Sequence, residues 1–172
     1  MNRQERQALI VSLLRSATEP MRGEDLADQA QVTRQVVVHE IALLRAAGVP
    51  ILSTPRGYRL SSLDYPSRER TIIAVRHTPE QTAEELYTLV DHGLAVHSVI
   101  VAHPIYGHLE GSLEIRSRID VASFLQQVEA DQASLLSSLT DGYHMHTVSF
   151  QRSKDLELAR QALRRAGIAV LD

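Results

Sequence analysis

The amino-acid sequence predicts an α+β chain in two parts: three helices closed by a small hairpin, then an α/β sandwich with a mainly antiparallel sheet. Three observations lead there. Apolar residues recur at helical spacing in short segments up to Gly48. A polar stretch containing Pro66, "SSLDYPSRER" at residues 61–70, then interrupts all periodicity. Beyond it, short β-branched runs alternate with amphipathic segments, as strands interleaved with helices do. With 172 residues, 44% of them hydrophobic, the chain can bury a core in each part. Domains are expected over residues 1–62 and 68–172.

Asn2 followed by Glu5 is a helix-start signature, and Leu9, Ile10, Leu13 and Leu14 then share one helical face. This first helix ends before Pro20. "GEDLADQAQ" supplies a short second helix around Leu26 and Ala27, and Thr33 is a good N-cap for a third, "RQVVVHEIALLRAAG", which stops at Gly48. Val37, Ile41 and Leu44 follow core spacing there, leaving Arg34, Gln35, Val38, His39, Ala42 and Arg45 on the opposite face. "ILSTPRGYRL" reads as two short strands around a Pro-Arg-Gly turn.

That opposite face suits DNA. Arg and Gln pair bidentately with guanine and adenine, and Arg34 and Gln35 stand at the N-terminal end, where a recognition helix meets base edges. Thr33, Val38, His39 and Arg45 join them as expected contacts, and Arg56 at the turn and Arg59 on its arm are placed to reach phosphates or the minor groove. Residues 1–62 hold eight Arg against six acids, a balance of +2, while the remainder holds ten basic and fifteen acidic residues, a balance of -5. A polyanion-facing module joined to something else is the natural reading. The bland alternative is a helical interaction module with a solvated polar face. Residues 5 to 60 resemble bacterial winged helix-turn-helix regulators of the biotin-operon repressor type.

In the second part, "TIIAVR" is a buried-type strand. "TPEQTAEELYTLVDHG" is a helix with Thr78 as N-cap, Pro79 at its first position and Gln81 completing a capping box. "AVHSVIVAH" and "HLEGSLEIR" flank a Pro-Ile-Tyr-Gly turn, a hairpin. A helix through "DVASFLQQVEA", a strand through "HMHTVSF", a helix through "LELARQALRRAG" and a closing strand "IAVL" complete the order β-α-β-β-α-β-α-β.

Composition removes several function classes. Cysteine is absent, which excludes disulfides, thiolate metal sites and cysteine nucleophiles and leaves imidazole and carboxylate as the strong metal donors. There is no Gly-x-Ser-x-Gly and no Walker-type glycine loop, so an enzyme is not expected. No segment reads as a secretory signal or a membrane span, and a cytoplasmic location is expected.

Seven of the eight histidines lie beyond residue 76. Strand periodicity puts His144 and His146 of "GYHMHTV" on one face, a pleat apart. His77 stands where the first strand turns into its helix. In that helix Thr82, Leu86, Leu89 and Val90 define the inward face, Glu85 borders it and Glu84 points away. A carboxylate at the margin of a core needs a partner, and a cation held by His77, Glu85, His144 and His146 would be one. Three imidazoles and a carboxylate suit zinc, nickel, iron or manganese. The alternative is a solvent-facing strand pair and an ordinary surface acid. His103 and His108 bracket the hairpin turn, as turn residues or pocket liners, and His92 and His97 read as surface positions.

"RHTPEQTAEEL", "VIVAHPIYGHLEG" and "GYHMHTV", in this order behind a winged helix, resemble the three-histidine domain of bacterial niacin-responsive transcriptional repressors, the NiaR family. The resemblance implies metal ligands at the same four positions, His77, Glu85, His144 and His146. It puts the histidine of a His-Pro-x-Tyr-Gly motif at His103, with Tyr106 and Gly107 completing it, and makes His103 and Tyr106 candidate effector contacts. It further implies a homodimeric repressor of NAD biosynthesis or niacin uptake genes, binding operator DNA with nicotinic acid or nicotinamide as corepressor. Two competing readings are a metalloenzyme acting on a small niacin-like molecule and a regulator that senses the metal itself.

Overall fold

Asn2 opens the first helix as its spacing from Glu5 predicts: the Asn2 side chain accepts from the Glu5 N–H at 2.9 Å and the Glu5 carboxylate accepts from the Asn2 N–H at 2.8 Å. The computed structural model describes residues 1–61 and 68–171, so the expected domain boundary lies outside the described residues. The chain divides into two compact units, Met1–Asp64 and Tyr65–Asp172.

In the first unit, α1 (Arg3–Ser16), α2 (Gly23–Ala30) and α3 (Arg34–Ala46) precede the hairpin β1 (Ile51–Thr54) and β2 (Gly57–Leu60). Ile10, Leu14, Leu26, Ala27, Val37, Ile41, Leu44 and Ile51 form the core, each large aliphatic side chain contributing roughly 1.5–3 kcal/mol on burial. Thr33 caps α3, accepting from the Val36 N–H. Tyr58 of β2 also exchanges backbone hydrogen bonds with Met21, at 2.7 and 2.8 Å, which fastens the hairpin to the α1–α2 connection. Only glycine permits this: Gly57 has φ +131°, and a Cβ there would stand 2.2 Å from the Met21 carbonyl oxygen.

The second unit runs β3 (Glu69–Arg76), a 3-10 turn (Pro79–Gln81), α4 (Thr82–Asp91), β4 (Ala95–His103), β5 (Gly107–Ile115), α5 (Arg118–Ala130), a second 3-10 turn (Leu136–Thr140), β6 (Tyr143–Phe150), α6 (Ser153–Arg165) and β7 (Ala169–Leu171). The sheet order is β5-β4-β6-β3-β7, and its pairings are antiparallel throughout. Helical residues Leu86, Leu89, Val121, Leu156 and Leu163 pack with Ile73, Val75, Val96, Val148 and Phe150 of the strands. β6 is the central strand, and its register sets His144 opposite Val75 and His146 between Ile73 and Val99. Period-two alternation therefore turns both histidines to the face that also carries Val148 and Phe150. No helix among the described residues is long and apolar enough to cross a membrane.

Candidate functional site

Two neighbouring elements and one distant strand deliver one cluster. His77 follows β3, Glu85 lies on the first turn of α4, and His144 and His146 sit on β6. All four side chains are buried, Glu85 to 1% exposure. Glu85 does more than border the inward face of α4: with Thr82, Leu86 and Leu89 it is fully inside, while Glu84 is exposed. The loop before β6 closes against His77 through Gly142, at φ +83°, where an added Cβ would stand 2.3 Å from the His77 carbonyl oxygen. That glycine is a site residue the sequence reading did not single out, although it stands two positions before the H-x-H pair.

The hydrogen bonding in the cluster is the same three times over. His77 Nδ1 contacts the Thr78 carbonyl at 2.7 Å, His144 Nδ1 the Gly142 carbonyl at 2.9 Å and His146 Nδ1 the Ser98 carbonyl at 2.9 Å. A carbonyl oxygen only accepts, so Nδ1 carries the hydrogen in every ring and a neutral imidazole is left with a lone pair at Nε2. Each Nε2 faces Glu85: His77 at 2.7 Å and His144 at 3.3 Å from Oε2, His146 at 3.2 Å from Oε1. Lone pairs facing a carboxylate repel. The last contact lacks hydrogen-bond geometry, and His146 Nε2 and Glu85 Oε1 are both buried without a hydrogen-bond partner.

Two arrangements relieve the conflict. Protons on the Nε2 atoms would bury up to three imidazolium rings around one carboxylate, an excess of positive charge that is costly away from water. A cation bound by the Nε2 lone pairs and the carboxylate removes the conflict without excess protons, and Nδ1–H donated to a carbonyl is the usual way a metal-bound imidazole is held. Ligand atoms at ~2.1 Å from a tetrahedral ion lie roughly 3.4 Å apart. His77, Glu85 and His144 offer ligand atoms all within 4.8 Å of one another, a group that could hold a metal ion.

The charges are interdependent. Burial pushes the Glu85 carboxyl up, but with protons on the rings the His146 charge and the His144 and His77 hydrogen bonds outweigh it and hold it well below its usual range. Burial lowers His77 and His146, yet the Glu85 carboxylate raises both above the ordinary histidine value.

Beside the cluster is a small cavity, partly open to solvent, walled by Leu86, Val99, Leu113, Phe124, Leu135 and Leu136. His103 and Tyr106 do not line it. They belong to the β4–β5 turn, where His103 Nδ1 accepts from the Ile105 and Tyr106 N–H groups at 3.2 Å and Tyr106 is 73% exposed. His108 is exposed on the same turn, and His92, half-buried, contacts the Thr88 carbonyl at the end of α4. His97, expected at the surface, is buried: Nε2 contacts Ser149 Oγ at 2.8 Å and Nδ1 the Glu114 carboxylate at 3.3 Å. The reason is a register shift in β4 between Val96 and Ser98, which strand alternation read from sequence does not anticipate.

On α3, Arg34, Gln35, Val38 and His39 are exposed on one face beyond the Thr33 cap. Arg45 is spent on the hairpin, donating to the Ile51 carbonyl at 2.8 Å and Ser53 Oγ at 2.6 Å. Arg56 pairs with Glu19 at 3.2 Å, and Arg59 is half-buried on β2. Glu40 of α3 is buried against Arg6 and Gln7, so it subtracts little from the positive charge of this face.

Family models match in the order of the two units: an HTH domain over residues 6–59 and a 3H domain over residues 70–172. The transcription repressor NadR of Bacillus subtilis is 40% identical over 162 residues, covering 92% of this chain and 89% of that protein. The probable transcription repressor NiaR of Thermotoga maritima is 36% identical over 168 residues, covering 98% of this chain and 95% of that protein. These relatives are regulators rather than enzymes. A DNA-binding unit, a buried histidine–carboxylate cluster and near-full-length similarity to both relatives lead to one conclusion: the chain belongs to the NadR/NiaR family of transcription repressors.

Proposed function

We propose that the chain is a metal-containing, niacin-responsive repressor that binds operator DNA of NAD biosynthesis or niacin uptake genes as a homodimer in the cytoplasm. Nicotinic acid or nicotinamide is the corepressor, and His77, Glu85, His144 and His146 hold a divalent ion, nickel or zinc before iron or manganese. The observation that supports this most is the threefold conflict of acceptors, in which the Nε2 atoms converge on a carboxylate after their Nδ1 hydrogens are committed to carbonyls. The repressor names of both relatives support the regulatory half of the reading.

When bound, the ion supplies a Lewis-acidic point of attachment for a ring nitrogen or carboxylate. The protein's part is to hold the imidazoles in one tautomer, exclude water with the Leu and Phe walls, and present Arg34, Gln35, Val38 and His39 on α3 to base edges. Effector binding selects a dimer in which the two recognition helices stand about one DNA turn apart, with Arg56 and Arg59 toward the backbone. Titrating nicotinic acid and nicotinamide by calorimetry into nickel- or zinc-loaded protein and into chelator-stripped protein tests the reading. Saturable binding that requires metal, with tighter operator binding in the presence of effector, is expected. Operator affinity that follows metal and ignores both compounds would replace it with metal sensing.

A further inference from the structure

The Thr82 hydroxyl is a buried polar group that the cluster does not use. Thr82 is 8% exposed, its Oγ1 has no hydrogen-bond partner, and it lines the cavity beside His77, Glu85, His144 and His146. A threonine inside a helix ordinarily returns its hydroxyl to the carbonyl four residues back. Thr88 of the same helix does so, donating to the Glu84 carbonyl at 2.6 Å. For Thr82 that acceptor would be the Thr78 carbonyl, which is already taken by His77 Nδ1 at 2.7 Å and the Gln81 N–H at 3.0 Å. Anchoring His77 therefore leaves Thr82 with a hydroxyl in an apolar cavity, where an unmet hydrogen bond is unfavourable until something enters to accept it.

The cavity says what kind of molecule that is. Phe124 and the walls formed by Val99, Leu113 and Leu136 suit a flat apolar ring. Thr82 and Glu85 are three apart on the buried face of α4, and side chains so spaced start ~5–6 Å from each other. One end of a substituted six-membered ring can thus meet the cluster while an oxygen at the other end meets the hydroxyl. We propose that Thr82 is the specificity-determining hydrogen-bond donor of the effector site, reading the carboxyl or carboxamide oxygen of a heteroaromatic ring. The assignment rests on the niacin-type reading above and adds the residue that tells such a ring from an unsubstituted one.

The test uses the full-length chain loaded with nickel, with nicotinic acid as probe. Thr82→Val keeps the shape and removes the hydroxyl, Thr82→Ala is a second deletion, and Thr82→Ser restores the donor. Valine and alanine are expected to bind nickel as the wild type does and to weaken nicotinic acid roughly ten- to hundredfold, with serine within roughly threefold of wild type. The ligand-free Thr82→Val protein is expected to melt no lower than wild type, because the hydroxyl it loses is unpartnered; a hydroxyl with a structural partner would cost stability on removal. Wild-type affinity in both deletion variants, or a serine variant as weak as valine, overturns the assignment while leaving the niacin reading intact. No binding of nicotinic acid or nicotinamide by the wild type overturns both.

Discussion

Each unit of the molecule buries one glutamate to 1% exposure, and the two are surrounded in opposite ways. Glu40 is met by donors: the Arg6 guanidinium with Nε at 2.9 Å, the Gln7 Nε2 amide nitrogen at 2.7 Å and the Arg3 guanidinium at 3.8 Å. Burial pushes its carboxyl up, and those donors and charges more than reverse the push. Glu85 is met by three imidazoles whose Nδ1 hydrogens are already used. One carboxylate is complete within the protein and ties α1 to α3. The other is complete only with added protons or a cation. Burial alone does not separate an acid that is satisfied within the fold from one that could hold a cation; the proton inventory of its neighbours does.

The contrast can be broken most directly at Glu85. Adding nickel or zinc to wild-type protein at a thousandfold excess over Kd is expected to raise its stability by about 4 kcal/mol. Glu85→Gln and His144→Ala are expected to lose that gain, read by thermal melts with and without metal. Metal-dependent stabilisation that survives both substitutions would dissolve the distinction. Glu40→Gln is expected to do the reverse, lowering stability by about 3 kcal/mol through an uncompensated Arg6 while leaving metal stoichiometry unchanged. A smaller effect, about 2 kcal/mol of operator affinity, is expected for Arg34→Ala in fluorescence anisotropy, with metal binding intact.

Proton linkage sharpens the comparison further, with the smallest effect. In metal-free protein His77 and His146 titrate above their ordinary 6.5, so their stabilisation is complete below that pH and is lost as pH rises through the raised values. Glu85 titrates below its ordinary 4.5, so its contribution is present above 4.5 and fades as pH falls through the lowered value. Metal-free protein is therefore expected to be most stable between 4.5 and 6.5. Metal-loaded protein is expected to gain stability above that window, since protons compete with the ion for Nε2. Melting curves of the two forms that run parallel across pH would contradict this.

Local signals were legible. The Asn2–Glu5 and Thr78–Gln81 capping boxes, the Thr33 cap and the shared face of His144 and His146 all follow from spacing, because each depends on residues within a turn or a pleat. What sequence did not reveal depends on long-range pairing. The burial of His97 needs the β4 register shift, the burial of Glu40 needs α1 laid across α3, and the cavity needs the 3-10 turn Leu136–Thr140, a stretch with no period of its own. Thr82 was legible as an inward residue, but its missing partner was not, since that depends on where the His77 ring points.

The cluster is also a clock on synthesis. Its members run from residue 77 to residue 146, and His146 lies on β6, the last strand but one. A chain emerging from the ribosome carries a folded N-terminal unit, able to meet DNA, well before the four side chains can converge. On the proposed reading, control over that unit arrives late, with the final strands, and a chain truncated before β6 would keep α3 and lose the cluster.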